Sequence, residues 1–308
     1  MKDILTLAVV NFAPVWGDKD NNLKRICEYT EAAALRGAQM VLFPETVLTG
    51  YDIEPGDLDR EERMHRRLAE TIPGPATDAV CDLTRKYGIY AAFGMAERDA
   101  GDPARVYNAA AVCGPDGLIG SCRKIHLPFA ESLWADSGEK PFLFETPWGP
   151  VGIGICYDVY CFPEVTRYAR AMGARLFLNC TAICTLESPG AGGELGNLCL
   201  QYLAVNNDLF IASSNLCGRD VTSWFMGGSG IIGPSTTMTH FRYAAGEPFL
   251  APGADESGLR LATIDLSDTR HSFLASMWNG GMDKCDWQPD RYADWFREAR
   301  ETDYWAHH

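Results

Sequence analysis

Three apolar runs in this 308-residue sequence stop at residues that can do chemistry. Val41-Leu42-Phe43-Pro44 runs into Glu45, Leu118 through Arg123 runs into Lys124, and Gly152-Ile153-Gly154-Ile155 runs into Cys156. In layered α/β proteins, ligands bind beyond the carboxyl ends of strands, so three such runs can deliver an acid, an ammonium and a thiol to one cleft. The combination is chemically coherent. A thiol is mostly protonated at neutral pH, and a neighbouring carboxylate can take its proton as the sulfur attacks. The same carboxylate can return the proton to a leaving amine, while an ammonium offsets charge on a tetrahedral intermediate. Taken singly, each residue has an ordinary explanation: a buried cysteine as a small hydrophobe, a glutamate or lysine as a solvated strand end.

The elements that would carry these residues alternate along the chain. Leu5–Val10 reads as a strand, residues 20–36 as a helix ending near Gly37, and 39–43 as a second strand stopped at Pro44. Helices are expected over 59–70 and 76–87, and a strand over 90–94. A hairpin over 107–113 and 118–124 is expected around Gly114-Pro115-Asp116-Gly117. A short small-residue strand follows at 149–155, then a helix at 163–172, a strand at 175–179, a helix at 194–207, and strands at 209–213, 229–232 and 261–265. Pro189-Gly190-Ala191-Gly192-Gly193 reads as a loop. This alternation favours α/β layering, and the hairpin makes the sheet arrangement mixed. No repeat or Pro/Ser-rich linker interrupts the chain, which reads as one domain over 1–308. Its core lies at about 5–265, with a Trp- and Tyr-rich extension over 266–308.

Composition removes several classes. Twenty-seven Lys and Arg against 41 Asp and Glu give a net charge of −14, which argues against nucleic acid or an anionic membrane as partner. No apolar stretch is long enough for a transmembrane helix, and the first residues show no secretory pattern. The 11 cysteines are an odd number scattered through a long chain, unlike a disulfide scaffold, and fit a reducing cytoplasm with free, mostly buried thiols.

The text around the three reactive residues resembles the nitrilase superfamily of carbon–nitrogen hydrolases. The matching pieces are Phe43-Pro44-Glu45 with Leu48-Thr49-Gly50-Tyr51, then Arg123-Lys124-Ile125-His126-Leu127. Gly152-Ile153-Gly154-Ile155-Cys156-Tyr157-Asp158 with Phe162-Pro163-Glu164 follows. Weaker echoes are Tyr107-Asn108-Ala109-Ala110 and Gly227-Gly228-Ser229. The resemblance implies a four-layer αββα sandwich with mixed sheets and a Glu45–Lys124–Cys156 triad that forms a thioester. It also implies no cofactor, and a homodimer or larger even assembly built through helices beside the nucleophile strand. Glu131, followed by Trp134 and Gly138, matches a second glutamate that many members carry to hold the lysine and substrate. Pocket lining by analogy comes from Tyr51, Trp134, Tyr157, Tyr160, Thr181 and Ala182. Cys-Tyr-Asp after the nucleophile strand resembles the amidase and carbamoylase branches, whereas nitrilases more often carry Cys-Trp-Glu. The expected substrate is therefore a small amide, with an N-carbamoyl compound or a nitrile as alternatives.

One departure concerns the acyl pocket. Three residues, Val159, Tyr160 and Cys161, separate Asp158 from Phe162, where the family usually has about two. Cys161 is expected to be structural, and Asp158 to fix the turn through backbone hydrogen bonds. His126 is expected to be a neighbour of the lysine and not a base. A zinc site from Cys156, Cys161, Cys180 and Cys184 has loose spacing, the serine-hydrolase Gly-x-Ser-x-Gly is absent around Ser229, and the 190–193 glycines lack a phosphate-loop lysine. A catalytically inert binding protein of the same fold is the remaining alternative.

Overall fold

The computed structural model describes residues 1–185, 193–234, 241–270 and 286–307. Two six-stranded mixed sheets dominate it. The first contains β1 (Ile4–Asn11), β2 (Met40–Leu42), β3 (Tyr90–Arg98), β4 (Val106–Gly114) and β5 (Gly117–Arg123). The second contains β6 (Phe142–Thr146), β7 (Gly149–Ile155), β8 (Leu176–Thr181) and, beyond the short β9 (Cys184–Thr185), β10 (Phe210–Asn215). After β11 (Cys217–Arg219) and β12 (Trp224–Met226), which form a small sheet with β9 in the order β11-β12-β9, come β13 (Gly230–Pro234) and β14 (Phe241–Gly246) of the second sheet and β15 (Gly258–Asp265) of the first. The strand orders are β15-β1-β2-β3-β4-β5 and β14-β13-β10-β8-β7-β6. The centres are parallel, β1 to β2 to β3 and β7 to β8 to β10, while the flanking pairs are antiparallel.

Period-two alternation explains the layering. Along β1, Leu5, Leu7 and Val9 enter the core shared with the second sheet, while Ala8 and Val10, and Phe12 just beyond the strand, face the helices. In β8, Leu176, Leu178 and Cys180 point to the inter-sheet core and Phe177 to the opposite layer. Sheets buried on both faces need near-continuous apolar strands, which is what these sequences supply. Helices α1 (Lys19–Leu35) and, beyond the short α2 (Met64–Leu68), α3 (Pro75–Tyr87) cover the first sheet. Asp18 caps α1 through the Asn21 N–H, and Pro75 opens α3. Beyond the single turn α4 (Tyr157–Tyr160), α5 (Pro163–Ala171) and α6 (Gly193–Asn207) cover the second sheet, completing an α–β–β–α sandwich. The tail carries α7 (Pro289–Thr302) and α8 (Tyr304–His307).

The expected strands and the 107–124 hairpin are present, and the hairpin closes with Gly114 opposite Gly117. The helix expected over 59–70 is broken: Arg63 is extended (φ −61°, ψ 137°), leaving a 3₁₀ turn at Arg60–Glu62 and only Met64–Leu68 as α-helix. The Arg63 guanidinium holds the carbonyls of Glu54, Gly56 and Leu58, so a buried side chain sets the break. Strands β6, β9, β11, β12 and β14 and the tail helices were not anticipated. Most of the Pro189–Gly193 loop lies outside the described residues.

Candidate active site

Glu45 lies three residues past β2, on a segment that keeps crossing β3. Phe43 N–H donates to Ala92 O at 2.8 Å, and Gly94 N–H donates to Pro44 O at 3.0 Å. A Cβ on Gly94 would strike the backbone of Pro44, Glu45 and Thr46, so glycine is what allows this close crossing. Lys124 continues β5 by one residue, its N–H donating to Asn108 O at 2.8 Å. Both side chains are fully buried. Lys124 Nζ donates to Glu45 Oε1 and Glu131 Oε2, each at 2.7 Å. Glu131 comes from a 3₁₀ turn at Phe129–Leu133.

A fourth member of the cluster escaped the sequence reading. Asn108 Nδ2 donates to Glu45 Oε1 at 2.8 Å and to Glu131 Oε1 at 2.6 Å. Two carboxylate acceptors determine which end of the amide faces them. The only sequence signal was the Tyr107-Asn108-Ala109-Ala110 run, which places an amide on a strand whose every residue is buried. Glu45 Oε1 is thus doubly bonded, while Oε2 is buried without a hydrogen-bond partner among the described residues.

Cys156 sits where β7 turns into α4, with φ 47° and ψ −102°. Such a backbone is strained for a non-glycine residue and is typical of functional turns. Gly152 and Gly154 let the outer layer pack closely on this strand: a Cβ at Gly152 would strike Ala169 and Phe177, and one at Gly154 would strike Phe177 and Val159 of α4. Cys156 N–H donates to Cys180 O at 2.8 Å. Burial pushes the Cys156 thiol well above its usual range and Glu45 adds to the rise; Lys124, the Ala182 backbone and the Thr181 hydroxyl pull the other way. The balance of these influences favours the protonated thiol over the thiolate. For Lys124, burial works against the charge, but Glu45 and Glu131 outweigh it and hold the ammonium well above its ordinary value. Burial raises Glu131 to about 7, against the pull of Lys124 and with a further push from Glu45.

Cys156 and Glu131 open onto a cavity of about 460 Å³ also lined by Tyr51, Trp134, Tyr157, Tyr160 and Ala182, all anticipated, together with apolar residues such as Ile53, Ile183 and Leu195; Glu45 and Lys124 are fully buried and do not line it. Thr181 lies just behind, fully buried. Cys161 also lines the cavity and is exposed. Asp158 accepts from the Ile125 and His126 N–H groups at 3.0 and 2.8 Å and from His126 Nδ1 at 2.7 Å, tying the nucleophile turn to the segment after Lys124. His126 stacks on Phe162 and does not line the cavity. Trp134 stacks on the buried His65, which burial holds neutral with a pKa of about 4.

The family model of carbon–nitrogen hydrolases matches residues 6–272. Among curated proteins, the chain is 31% identical to a nitrilase from Pyrococcus abyssi over 237 residues, 76% of this chain and 84% of that protein. It is also 31% identical to an omega-amidase from Xenopus tropicalis over 279 residues, 84% of this chain and 88% of that one. Among solved structures, an amidase from Nesterenkonia sp. superposes with a TM-score of 0.72 at 21% identity, covering 96% of this chain and 97% of that one. A nitrilase-superfamily protein from Saccharomyces cerevisiae superposes with a TM-score of 0.73 at 22% identity, covering 87% and 93%.

Proposed function

This chain belongs to the carbon–nitrogen hydrolase family, and from that premise we propose that it hydrolyses the C–N bond of a small carboxamide through a thioester on Cys156. The observation that carries the reading is the geometry of Glu45. One oxygen is committed to Lys124 and Asn108, and the other has no partner among the described residues and lies in the neighbourhood of a protonated thiol. Glu45 Oε2 takes the thiol proton as Sγ attacks the carbonyl carbon. The oxyanion is stabilised by the Lys124 ammonium and by the backbone N–H following Cys156. Collapse breaks the C–N bond, and Glu45 returns the proton to the leaving nitrogen, releasing ammonia or an amine. Water then attacks the thioester, Glu45 again taking the proton, and the carboxylic acid departs with the thiol restored. Glu131 positions Lys124 and the substrate nitrogen. The scheme uses no cofactor and no metal.

The amide assignment rests on Cys156-Tyr157-Asp158 and on the omega-amidase relatives. A panel of primary amides, ureido compounds and nitriles, assayed for ammonia release with Cys156→Ala protein as blank, tests it. Amide turnover with an acyl mass trapped on Cys156 is the expected result. Exclusive turnover of nitriles or ureido compounds would replace the substrate class, and binding without any adduct would point to an inert scaffold.

The chain acts as one hydrolase unit whose tail and helices α5 and α6 make subunit contacts in an even homo-oligomer. Supporting this, Leu198, Tyr202 and Val205 form an exposed apolar stripe on α6, next to exposed Tyr168 and Met172 on α5. Helix α7 buries none of its residues in its own protomer, and Trp295 and Phe296 are exposed. A light-scattering mass of one chain would refute the assembly. No described helix is long and apolar enough to cross a membrane. The ten described cysteines are free, which supports a reducing, cytoplasmic setting, and the net charge of −14 argues against nucleic acid as partner.

A further inference from the structure

We propose that the site selects uncharged amides with an apolar acyl group and rejects amides whose acyl chain ends in a carboxylate; this deepens the amidase reading and rests on it. Among the described residues, no Arg, Lys or His lines the cavity. The nearby cation, Lys124, is already held between two carboxylates. A substrate carboxylate would therefore enter a low-dielectric cleft beside Glu131 and Asp52 with no counter-charge among the described lining residues.

Two of the polar side chains on the wall, Asp52 and Tyr160, are also already engaged. Asp52 accepts four hydrogen bonds, from the N–H and hydroxyl groups of Thr222 and Ser223. Tyr160 presents its ring, because its hydroxyl accepts from Asn179 Nδ2 at 3.2 Å. The apolar side chains facing the acyl chain are Ile53, Trp134, Ile183, Leu195 and the ring of Tyr160, with Tyr51 and Tyr157 as further aromatic lining. A cavity of 460 Å³ holds an acyl group of roughly ten to fifteen non-hydrogen atoms, at the ~30 Å³ a water-sized group occupies. The extra residue between Asp158 and Phe162 falls in this wall, where both Tyr160 and Cys161 line the cavity.

The test compares kcat/KM for propionamide, butyramide, hexanamide, phenylacetamide, glutaramate and the methyl ester of glutaramate. The expected pattern is a rise of about fourfold per methylene from propionamide to hexanamide. Glutaramate should lie at least about 100-fold below hexanamide, and its neutral methyl ester should recover most of that loss. Leu195→Arg places a cation at the rim, on an exposed position of α6, and should raise the glutaramate-to-hexanamide ratio at least about tenfold. Cys199→Lys, one helical turn further on, repeats that arm should the first variant fold poorly. Glutaramate turned over as well as hexanamide would overturn the inference while leaving the amidase reading intact. No ammonia from any amide would remove the amidase reading and the inference with it.

Discussion

Cys156 and Cys180 stand at the ends of adjacent parallel strands, and the amide of one donates to the carbonyl of the other. Both thiols are buried, and burial raises both well above the usual range, with Glu45 adding to each. Yet they differ in every respect that matters for chemistry. Cys180 continues in a regular strand, with its side chain inside the inter-sheet core. Cys156 leaves its strand with φ 47°, which turns the sulfur to the cavity and into the field of Lys124. The contrast teaches that neither a thiol nor a nearby carboxylate makes a nucleophile here. On the proposed reading, what sets Cys156 apart is a strained turn that aims the sulfur at an open space.

Exchanging or disabling the two thiols is the most forceful way to break this comparison. Cys156→Ala should lower amide turnover by at least about 10⁴-fold with the fold retained, measured as ammonia release and circular dichroism. Equal activity would show that the turn is irrelevant. Glu45→Gln should cost about 10²–10⁴-fold in acylation, read from single-turnover trapping of the acyl group, because the thiol then has no proton acceptor. Asn108→Leu keeps the volume but removes the donor shared by both carboxylates. A fall of about 10- to 100-fold in kcat, with KM changed much less, is expected in steady-state kinetics. An unchanged kcat would reduce Asn108 to a packing role.

Glu131 sharpens the comparison through pH. Its carboxyl titrates near 7 in the folded protein against 4.5 as its reference value. Between those values the folded state holds a proton that the unfolded chain has lost, so this group's contribution to stability falls as pH rises from 4.5 to 7 and is lowest above 7. Glu131→Gln should therefore raise the melting temperature by a few degrees at pH 8 and leave it nearly unchanged at pH 4.5 in thermal scans. Equal shifts at both values would remove the buried charge as the cause. Smallest of all, Cys180→Ala should keep turnover within about threefold while costing about 1 kcal/mol of stability in denaturant titration.

Much of this site was legible before any coordinates. Glu45, Lys124 and Cys156 stand where apolar runs end, and strand ends in α/β layers converge on one edge. The break at Arg63 was not, because it depends on a guanidinium that captures three carbonyls of a loop and so outweighs local helical propensity. Asn108 was named only as part of a motif echo, since a buried amide in an alanine-rich strand has no role until its two acceptors arrive from distant segments. The strands β9, β11 and β12 are two or three residues long and carry no measurable periodicity.

Alone, the sequence carried the alternating layers and the family resemblance that proposes Glu45, Lys124 and Cys156 as the reactive side chains, because period-two apolar patterns and short motifs are local properties of the chain. Only the tertiary structure decided which oxygen of Glu45 stays unpartnered, that Asn108 joins the two carboxylates, and that the acyl wall carries no cation among its described residues. Those properties depend on side chains brought together across long sequence separations, where burial and the full set of partners fix charge and orientation.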